Sequence, residues 1–302
     1  MKINTDILKR LRNEAKITQE DAADIIHVSL RQFARIESGE TNMDMWQFKS
    51  YMEALGQSSE DFWLLYLDTK EYDEYKEYKR LKLLLRNRRD EDIKKMMAEQ
   101  DGIFASSNPY FRQYLEQVKI KLNKDLPNEQ KVRDLFKLMK ITKKKFEESK
   151  IPEYRLTFVE ISILTQVASC IFAINEHERA IRMIESMIKS KNQSYVSEED
   201  RGQVFPALYS NLSTMLGKMG RFKESLKVSN EGIEICREYE NFRFIPGLLY
   251  NKACSLLMLG EEEVMYKPYL VRAYHCAFAI GDLKGGNIIK KDAKVDFGIE
   301  LD

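Results

Sequence analysis

Three amide side chains recur in register in the second half of the chain: Gln166, Asn211 and Asn251 each stand nine residues before a residue that can end a helix. An amide carries both hydrogen-bond donors and an acceptor. It can therefore bond the N–H and C=O groups of an extended peptide, whatever the side chains of that peptide are. The alternative is that these amides only pack against or cap neighbouring helices.

An internal repeat places two of these amides. The spacing from Asn211 to Asn251 equals the spacing from Gly220 to Gly260. An earlier, more degenerate copy has Asn175 at the turn position. Each copy predicts a helix, a tight turn and a second helix, with the amide on the first helix and facing the concave groove of the stack.

The predicted groove is lined by amides, hydroxyls, one cation and an apolar end. This mixture suits a short hydrophobic oligopeptide. The predicted peptide contacts are Gln166, Ser169, Asn211, Thr214, Lys218, Tyr250, Asn251 and Cys254, with Thr165, Phe172, Ser210, Leu257 and Met258 nearby.

The best copy of the repeat, residues 206–239, resembles a tetratricopeptide repeat over its full length. The resemblance implies a stack of helix pairs. Helical segments at 107–124 and 127–148 are expected to extend that stack. The positions that match the family are Tyr209, Leu212, Ser213, Gly220, Phe222, Leu226 and Gly232.

Enzyme chemistry has little support in this sequence. The three histidines, His27, His177 and His275, do not stand in a metal-binding or triad setting. The chain has no GxGxxG, P-loop or HExxH motif. Its four cysteines are widely spaced, which favours buried reduced thiols over disulfides or zinc ligands. We therefore expect neither an enzyme nor a cofactor.

Length and composition predict an all-α protein with more than one domain. At 302 residues two or three domains are expected. Only 13 glycines and 6 prolines occur, which favours long helices over turn-rich β folds. No apolar run approaches the ~20 residues that span a bilayer, and the first residues do not resemble a signal peptide, so a cytoplasmic protein is expected. The 49 basic and 48 acidic side chains do not indicate a partner.

Residues 1–66 predict five short helices. Thr18 and Asp21 form a capping box at the start of the second helix, and Ser29 is the N-cap of the third. Gly39 is expected to end the third helix, and residues 58–66 form the fifth. A tight turn between the second and third helices is typical of a helix-turn-helix domain.

The segment LKRLRNEAKITQEDAADIIHVSLRQFARIESGE, residues 8–40, resembles the repressor-type (Xre) helix-turn-helix family. The likeness continues beyond this segment through most of residues 1–56. The matching positions are Leu11, Arg12, Thr18, Gln19, Ala23, Val28, Ser29, Phe33, Ile36, Glu37 and Gly39.

The resemblance implies specific roles for residues of the first three helices. Arg12 and Glu37 would form an internal ion pair, and Gln19 would bond a phosphate of double-stranded DNA. An arginine can pair bidentately with guanine, a glutamine can bond bases or phosphates, and a leucine can contact a thymine methyl. The base-reading face implied by the family comprises Ser29, Leu30, Arg31, Gln32 and Arg35.

Two residues depart from the family pattern. His27 replaces the glycine that usually closes the second helix, so that turn is expected to be adapted. Glu40 stands where the family often has a neutral or basic residue. Residues 1–56 carry eight Lys and Arg against nine acids, a net charge of −1. Because phosphate neutralisation drives much of DNA affinity, one copy should bind weakly, and a dimer on two half-sites would be needed.

The order and length of the two parts resemble the Rgg/PlcR/PrgX group of peptide-pheromone-responsive transcriptional regulators. The resemblance implies a quorum-sensing homodimer that binds an imported peptide in the groove, which shifts its two DNA-binding domains. The expected domains are a helix-turn-helix at 1–66, a linker helix region at 67–100 and repeats at 101–302. Two alternatives stay open: a DNA-tethered repeat scaffold for a protein partner, and a repressor whose repeats only dimerise it.

Overall fold

The computed structural model describes residues 4–56, 69–86, 89–99 and 109–301. Within these ranges the protein is all-α, as predicted, with fifteen α-helices and no strand. An isolated parallel bridge joins Thr157 and Tyr195. None of the described helices is both long enough and apolar enough to cross a membrane. The chain divides into two compact units, Met1–Ser107 and Asn108–Asp302.

The first unit contains four short helices followed by two more. The predicted fifth helix at 58–66 lies outside the described residues. The helices are α1 (Thr5–Glu14), α2 (Gln19–Ile25), α3 (Leu30–Glu37), α4 (Met45–Ala54), α5 (Thr69–Arg86) and α6 (Asp90–Glu99).

Side-chain caps fix the starts of α2 and α3. Thr18 and Asp21 form the capping box at α2, each bonding the backbone N–H of the other. Ser29 Oγ accepts the backbone N–H of Gln32 at 3.2 Å at the start of α3. Phe33 of α3 is fully buried, and its ring centroid lies 5.5 Å from that of Tyr51 of α4. The caps and this core hold α2 and α3 in a fixed relation.

Helix α5 packs against α1 and extends the core of the first unit. Tyr72 is 2% exposed among the core residues of α1 to α4, and burial raises its pKa to about 12. Two ion pairs flank it: Arg10 to Asp73 at 2.9 Å and Glu14 to Lys76 at 3.0 Å. The first half of α5 is therefore attached to the helix-turn-helix core.

The second unit is a stack of antiparallel helix pairs. The first helices of three pairs are adjacent: α9 contacts α11, and α11 contacts α13. Each of them also packs against the second helix of its own pair, α10, α12 or α14. Short 3-10 helices lie at Glu148–Glu153, Lys191–Gln193 and Phe242–Phe244. The α-helices are α7 (Pro109–Leu122), α8 (Asn128–Thr142), α9 (Phe158–Ala173), α10 (His177–Lys189), α11 (Glu198–Lys218), α12 (Phe222–Glu238), α13 (Ile245–Met258), α14 (Glu263–Ala279) and α15 (Leu283–Asp296).

The turn residues of the repeat share one backbone conformation. Gly220 and Gly260 follow α11 and α13 with φ of 72° and 82°, and Asn175 follows α9 with φ of 65°. This left-handed region suits glycine and is tolerated by asparagine. The degenerate first copy thus turns in the same way as the other two.

Close packing between repeats depends on a glycine. A Cβ built on Gly232 of α12 would lie 2.8 Å from Leu248 Cδ2 and 2.9 Å from Tyr209 Cβ. Buried hydroxyls lie beside it, with Ser213 and Ser229 oxygens 2.6 Å apart. Small residues let α12 approach both α11 and α13.

Candidate functional site

The residues expected to read DNA lie together on the exposed face of α3. Phe33 and Ile36 are buried on the opposite face. Leu30 is 48% exposed, a high value for a leucine, and Arg31 and Gln32 are exposed beside it. The helix therefore presents an apolar group, a guanidinium and an amide to solvent, while Ser29 is occupied as the N-cap.

The two arginines of α3 differ in their surroundings. Arg31 forms no ion pair within the part of the chain that the structure describes. Arg35 Nε lies 3.2 Å from Glu40 Oε2 in the turn that follows the helix.

Arg12 and Glu37 form an ion pair inside the first unit, as the family resemblance implied. Arg12 Nε donates to Glu37 Oε1 at 2.7 Å, and the side chains are 13% and 1% exposed. Arg12 Nη1 also donates to the carbonyl of Ile17 at 2.8 Å. The pair ties α1 to the end of α3.

Gln19, the expected phosphate contact, joins the same network. Its Nε2 donates to Glu37 Oε2, so one of its two amide protons is used within the domain. The other amide proton makes no hydrogen bond within the described residues. Tyr51 OH lies buried near this network without a hydrogen-bond partner among the described residues. Burial raises its pKa, and the charge of Glu37 raises it further.

The α2–α3 turn keeps its shape despite His27. The histidine has φ of 56°, the left-handed conformation that glycine adopts most easily. Val28 N bonds Ala23 O at 2.9 Å and His27 N bonds Asp24 O at 3.1 Å. This pattern is the Schellman helix end. The expected adaptation is thus a non-glycine residue in the left-handed backbone conformation, and the turn itself is unchanged.

The three amides of the repeat lie on successive first helices. Gln166 is on α9, Asn211 on α11 and Asn251 on α13, and all three are half-buried. Asn251 Nδ2 donates to Thr214 Oγ1 at 2.9 Å, which joins two of the predicted contacts across α11 and α13. Asn211 makes no side-chain hydrogen bond within the described residues, and Gln166 Oε1 has none there either.

The hydroxyls on these helices present acceptors. Thr165, Ser169 and Thr214 each donate to the carbonyl four residues earlier, at 2.7, 3.0 and 2.9 Å. A hydroxyl that has donated its proton offers only lone pairs to a neighbour. The surface therefore presents a row of acceptors beside the amides, and the exposed Lys218 adds a cation at the end of α11.

Tyr250 and Cys254 face α15, a helix that the sequence analysis did not connect with the groove. Tyr250 OH lies 3.4 Å from Asp292 Oδ2 of α15. Burial raises the pKa of Cys254 to about 11, and it also raises that of Tyr250. Gly281, which has the left-handed φ of 77° before α15, was the available signal for a further helix of the stack.

No cluster suited to a metal ion occurs within the described ranges. All four cysteines are free thiols: Cys170 and Cys236 are buried, and Cys254 and Cys276 are half-buried.

Comparison with known proteins gives one family match and several structural matches. Residues 6–62 match the family described as "Helix-turn-helix domain". No curated protein matches the sequence significantly.

The structural matches extend over almost the whole chain. PlcR of Bacillus thuringiensis, solved in complex with the peptide PapR7 and DNA, matches with a TM-score of 0.67 and 18% identity, over 96% of this chain and 99% of that one. ComR of S. thermophilus, in complex with DNA and its signalling peptide ComS, matches with 0.58 and 17%, over 96% and 98%. The SHP pheromone receptor Rgg2 of Streptococcus dysgalactiae matches with 0.52 and 16%, over 97% and 99%. The chain therefore joins a helix-turn-helix domain to an all-helical repeat domain in the fold of PlcR, ComR and Rgg2, which confirms the resemblance inferred from its sequence.

Proposed function

We propose that this protein is a transcription regulator that reads double-stranded DNA with α3 and binds a short peptide along α9, α11 and α13. The observation that carries the proposal is the alignment of Gln166, Asn211 and Asn251 on the first helices of three successive pairs, in a chain that also has a helix-turn-helix domain. The solved structures of PlcR and ComR each contain both DNA and a peptide, which supports both halves.

The proposal that α3 binds DNA rests on the contacts that hold this helix and on the side chains that it exposes. Its buried face and N-cap fix the helix, and Arg12 with Glu37 anchors its end. Its outer face offers Leu30, Arg31 and Gln32, whose groups can recognise base edges in the major groove.

The proposal that the repeats bind a peptide rests on the spacing of the helices that carry the three amides. Packed helices lie roughly 10 Å apart, and three residues of extended chain cover about that distance. Amides on three adjacent first helices therefore suit a peptide of about seven or eight residues. The groove surface carries amides and hydroxyl acceptors, with Lys218 as a cation and the exposed Met258 at its apolar end. We therefore infer a largely hydrophobic peptide that is held by its main chain.

The two activities would be coupled through a homodimer. Because residues 1–56 have a net charge of −1, a single copy has little electrostatic affinity for DNA. Two copies on two half-sites overcome this. A peptide that binds one arrangement of the dimer more tightly shifts the population toward it and changes DNA affinity.

The test uses the full-length protein with two ligands. A duplex is first selected from a randomised library by the wild-type protein, and calorimetry then measures binding of a panel of hydrophobic heptapeptides and octapeptides. We expect peptide binding to change affinity for the selected duplex, and Arg31→Ala to weaken that affinity by about 1–3 kcal/mol. DNA binding without any peptide response would favour a protein-binding scaffold or a simple dimerising repressor. No enrichment of any duplex would contradict the proposal.

A further inference from the structure

Glu40 is held beside the C-terminal end of α3 by the backbone. Gly39 has φ of 78°, its N–H bonds Ile36 O at 3.0 Å, and Glu40 N bonds Arg35 O at 2.9 Å. These two bonds define a Schellman motif, in which the residue after the glycine contacts the residue at the third position from the helix end. That contact is usually apolar. Here it joins Glu40 to Arg35.

The contact is an ion pair with a defined geometry. Glu40 Oε2 lies 3.2 Å from Arg35 Nε, and Glu40 Oε1 lies 3.2 Å from Ser38 Oγ. The side chains of Arg35 and Glu40 are 55% and 61% exposed. An exposed pair of this kind contributes little to stability. Its effect is on where the guanidinium points.

Binding through Nε leaves the two terminal nitrogens of Arg35 available. Bidentate recognition of guanine uses two parallel N–H groups of one guanidinium. The carboxylate of Glu40, which lies at Nε, restricts the orientation of the Arg35 guanidinium before DNA binds. Arg31, which forms no ion pair in the described ranges, has no such restraint.

The charge of Glu40 also acts on DNA directly. A carboxylate near the DNA-facing side of α3 repels phosphates, and this repulsion applies to every sequence. Where Arg35 meets its base, the ordered guanidinium offsets the repulsion. On other DNA Arg35 does not contact that base, so the repulsion between Glu40 and the phosphates is not offset.

We propose that Glu40 is a positioning residue for Arg35 that increases discrimination between the specific site and other DNA. This inference rests on the reading of DNA by α3 proposed above. It also gives a physical role to the acidic residue that departs from the family pattern at this position.

The experiment compares two duplexes of equal length and composition. One is selected by the wild-type protein from a randomised library, and the other has the same bases in scrambled order. For Glu40→Gln in the full-length protein, we expect tighter binding to the scrambled duplex. We also expect a fall of about threefold to tenfold in the ratio of the two affinities. The loss should be concentrated at the base pair to which Arg35→Ala is sensitive.

Two further variants separate positioning from charge. Glu20→Gln removes one exposed charge from the first turn of α2, where Glu20 has no ion-pair partner within the described residues, and should strengthen binding to both duplexes by the same factor. On an Arg35→Ala background, Glu40→Gln should no longer change the ratio.

The inference is overturned if Glu40→Gln behaves like Glu20→Gln, or if its effect on the ratio persists without Arg35. Failure of the proposed function gives a different result. In that case the wild-type protein enriches no duplex, or Arg31→Ala and Arg35→Ala both leave the affinity for the selected duplex unchanged. Either result would remove the basis of the inference as well.

Discussion

At the scale of single residues, the carboxylate of Glu37 on α3 links α1 and α2 of the first unit through hydrogen bonds. It accepts hydrogen bonds from Arg12 and Gln19 while only 1% exposed. A buried charge without its partner is costly, because the protein interior cannot replace the lost solvation. The resemblance to the Xre family predicted the pair of Arg12 and Glu37. It did not predict that Gln19 would bond the same carboxylate, because that depends on side-chain conformation.

Arg12→Met should destabilise the first unit by about 3–5 kcal/mol, because it leaves Glu37 buried and unpaired. Both tryptophans of the chain fall in residues 1–107, so tryptophan fluorescence during thermal unfolding reports on this unit. The double variant Arg12→Met with Glu37→Gln should recover part of the loss. Weaker DNA binding with an unchanged melting temperature would instead assign Arg12 to the DNA surface.

His27→Gly should stabilise the first unit by about 1 kcal/mol, because the left-handed conformation of His27 disfavours a residue with a Cβ, whereas glycine adopts it readily. The gain is partly offset by the greater freedom of glycine in the unfolded chain. The same fluorescence melt measures the effect, and Gly39→Ala, at the matching turn after α3, should shift the melting temperature in the opposite direction. A lower melting temperature for His27→Gly would show that the imidazole makes a stabilising contact.

At the scale of helices, caps and turn residues made much of the fold predictable. Thr18, Ser29, Gly220 and Gly260 all mark helix ends in the structure as they do in the sequence. These signals are local, because each depends on a side chain or glycine at one end of one helix.

The end of α8 was predicted wrongly because tertiary contacts override local preference there. The sequence predicted a helix through residue 148, but α8 ends at Thr142. Phe146 is 8% exposed and stacks on Tyr154, with ring centroids 5.5 Å apart. Glu148 pairs with Arg179 of α10 at 2.6 Å. No local pattern in this segment predicts that Tyr154 and Arg179 are the partners of these two residues.

Gly232→Ala should destabilise the second unit by about 1–3 kcal/mol, because the added methyl group overlaps Leu248 and Tyr209. Gly217→Ala is the matched control within α11. Its new Cβ would meet Ser225 Oγ at 3.5 Å, an ordinary contact, so the higher helix propensity of alanine should leave stability unchanged or raise it by up to about 1 kcal/mol. Urea unfolding followed by circular dichroism measures both. Equal effects of the two variants would contradict the close approach of α12 to α13.

At the scale of the whole molecule, the repeat register correctly placed three amides on neighbouring helices. It did not show that Asn251 would bond Thr214, or that Tyr250 would face Asp292 of α15. Both contacts depend on the detailed packing of one helix against its neighbour. A register derived from sequence assigns residues to a face and does not assign their partners.

Asn211→Ala and Asn251→Ala should each weaken peptide binding by about 1 kcal/mol, roughly fivefold, while folding and peptide-free DNA binding stay unchanged. We expect the larger loss for Asn211, since Asn251 exchanges an existing bond to Thr214 for one to the peptide. Calorimetry with a peptide identified from the panel measures the change. Asn192→Ala, an exposed amide outside the groove helices, is the control. Normal peptide responses in both groove variants would exclude the groove as the sensor, and failure to fold would support the packing role.

The attachment of α5 to α1 limits where gene segments could be exchanged between proteins of this architecture without loss of stability. A crossover just after residue 66 would remove Tyr72 and the two ion pairs beside it from the first unit. Loss of one buried aromatic side chain costs about 3–5 kcal/mol, a large part of the stability of a small domain. We infer that a helix-turn-helix inherited intact carries α5 with it, and that viable junctions lie beyond residue 86.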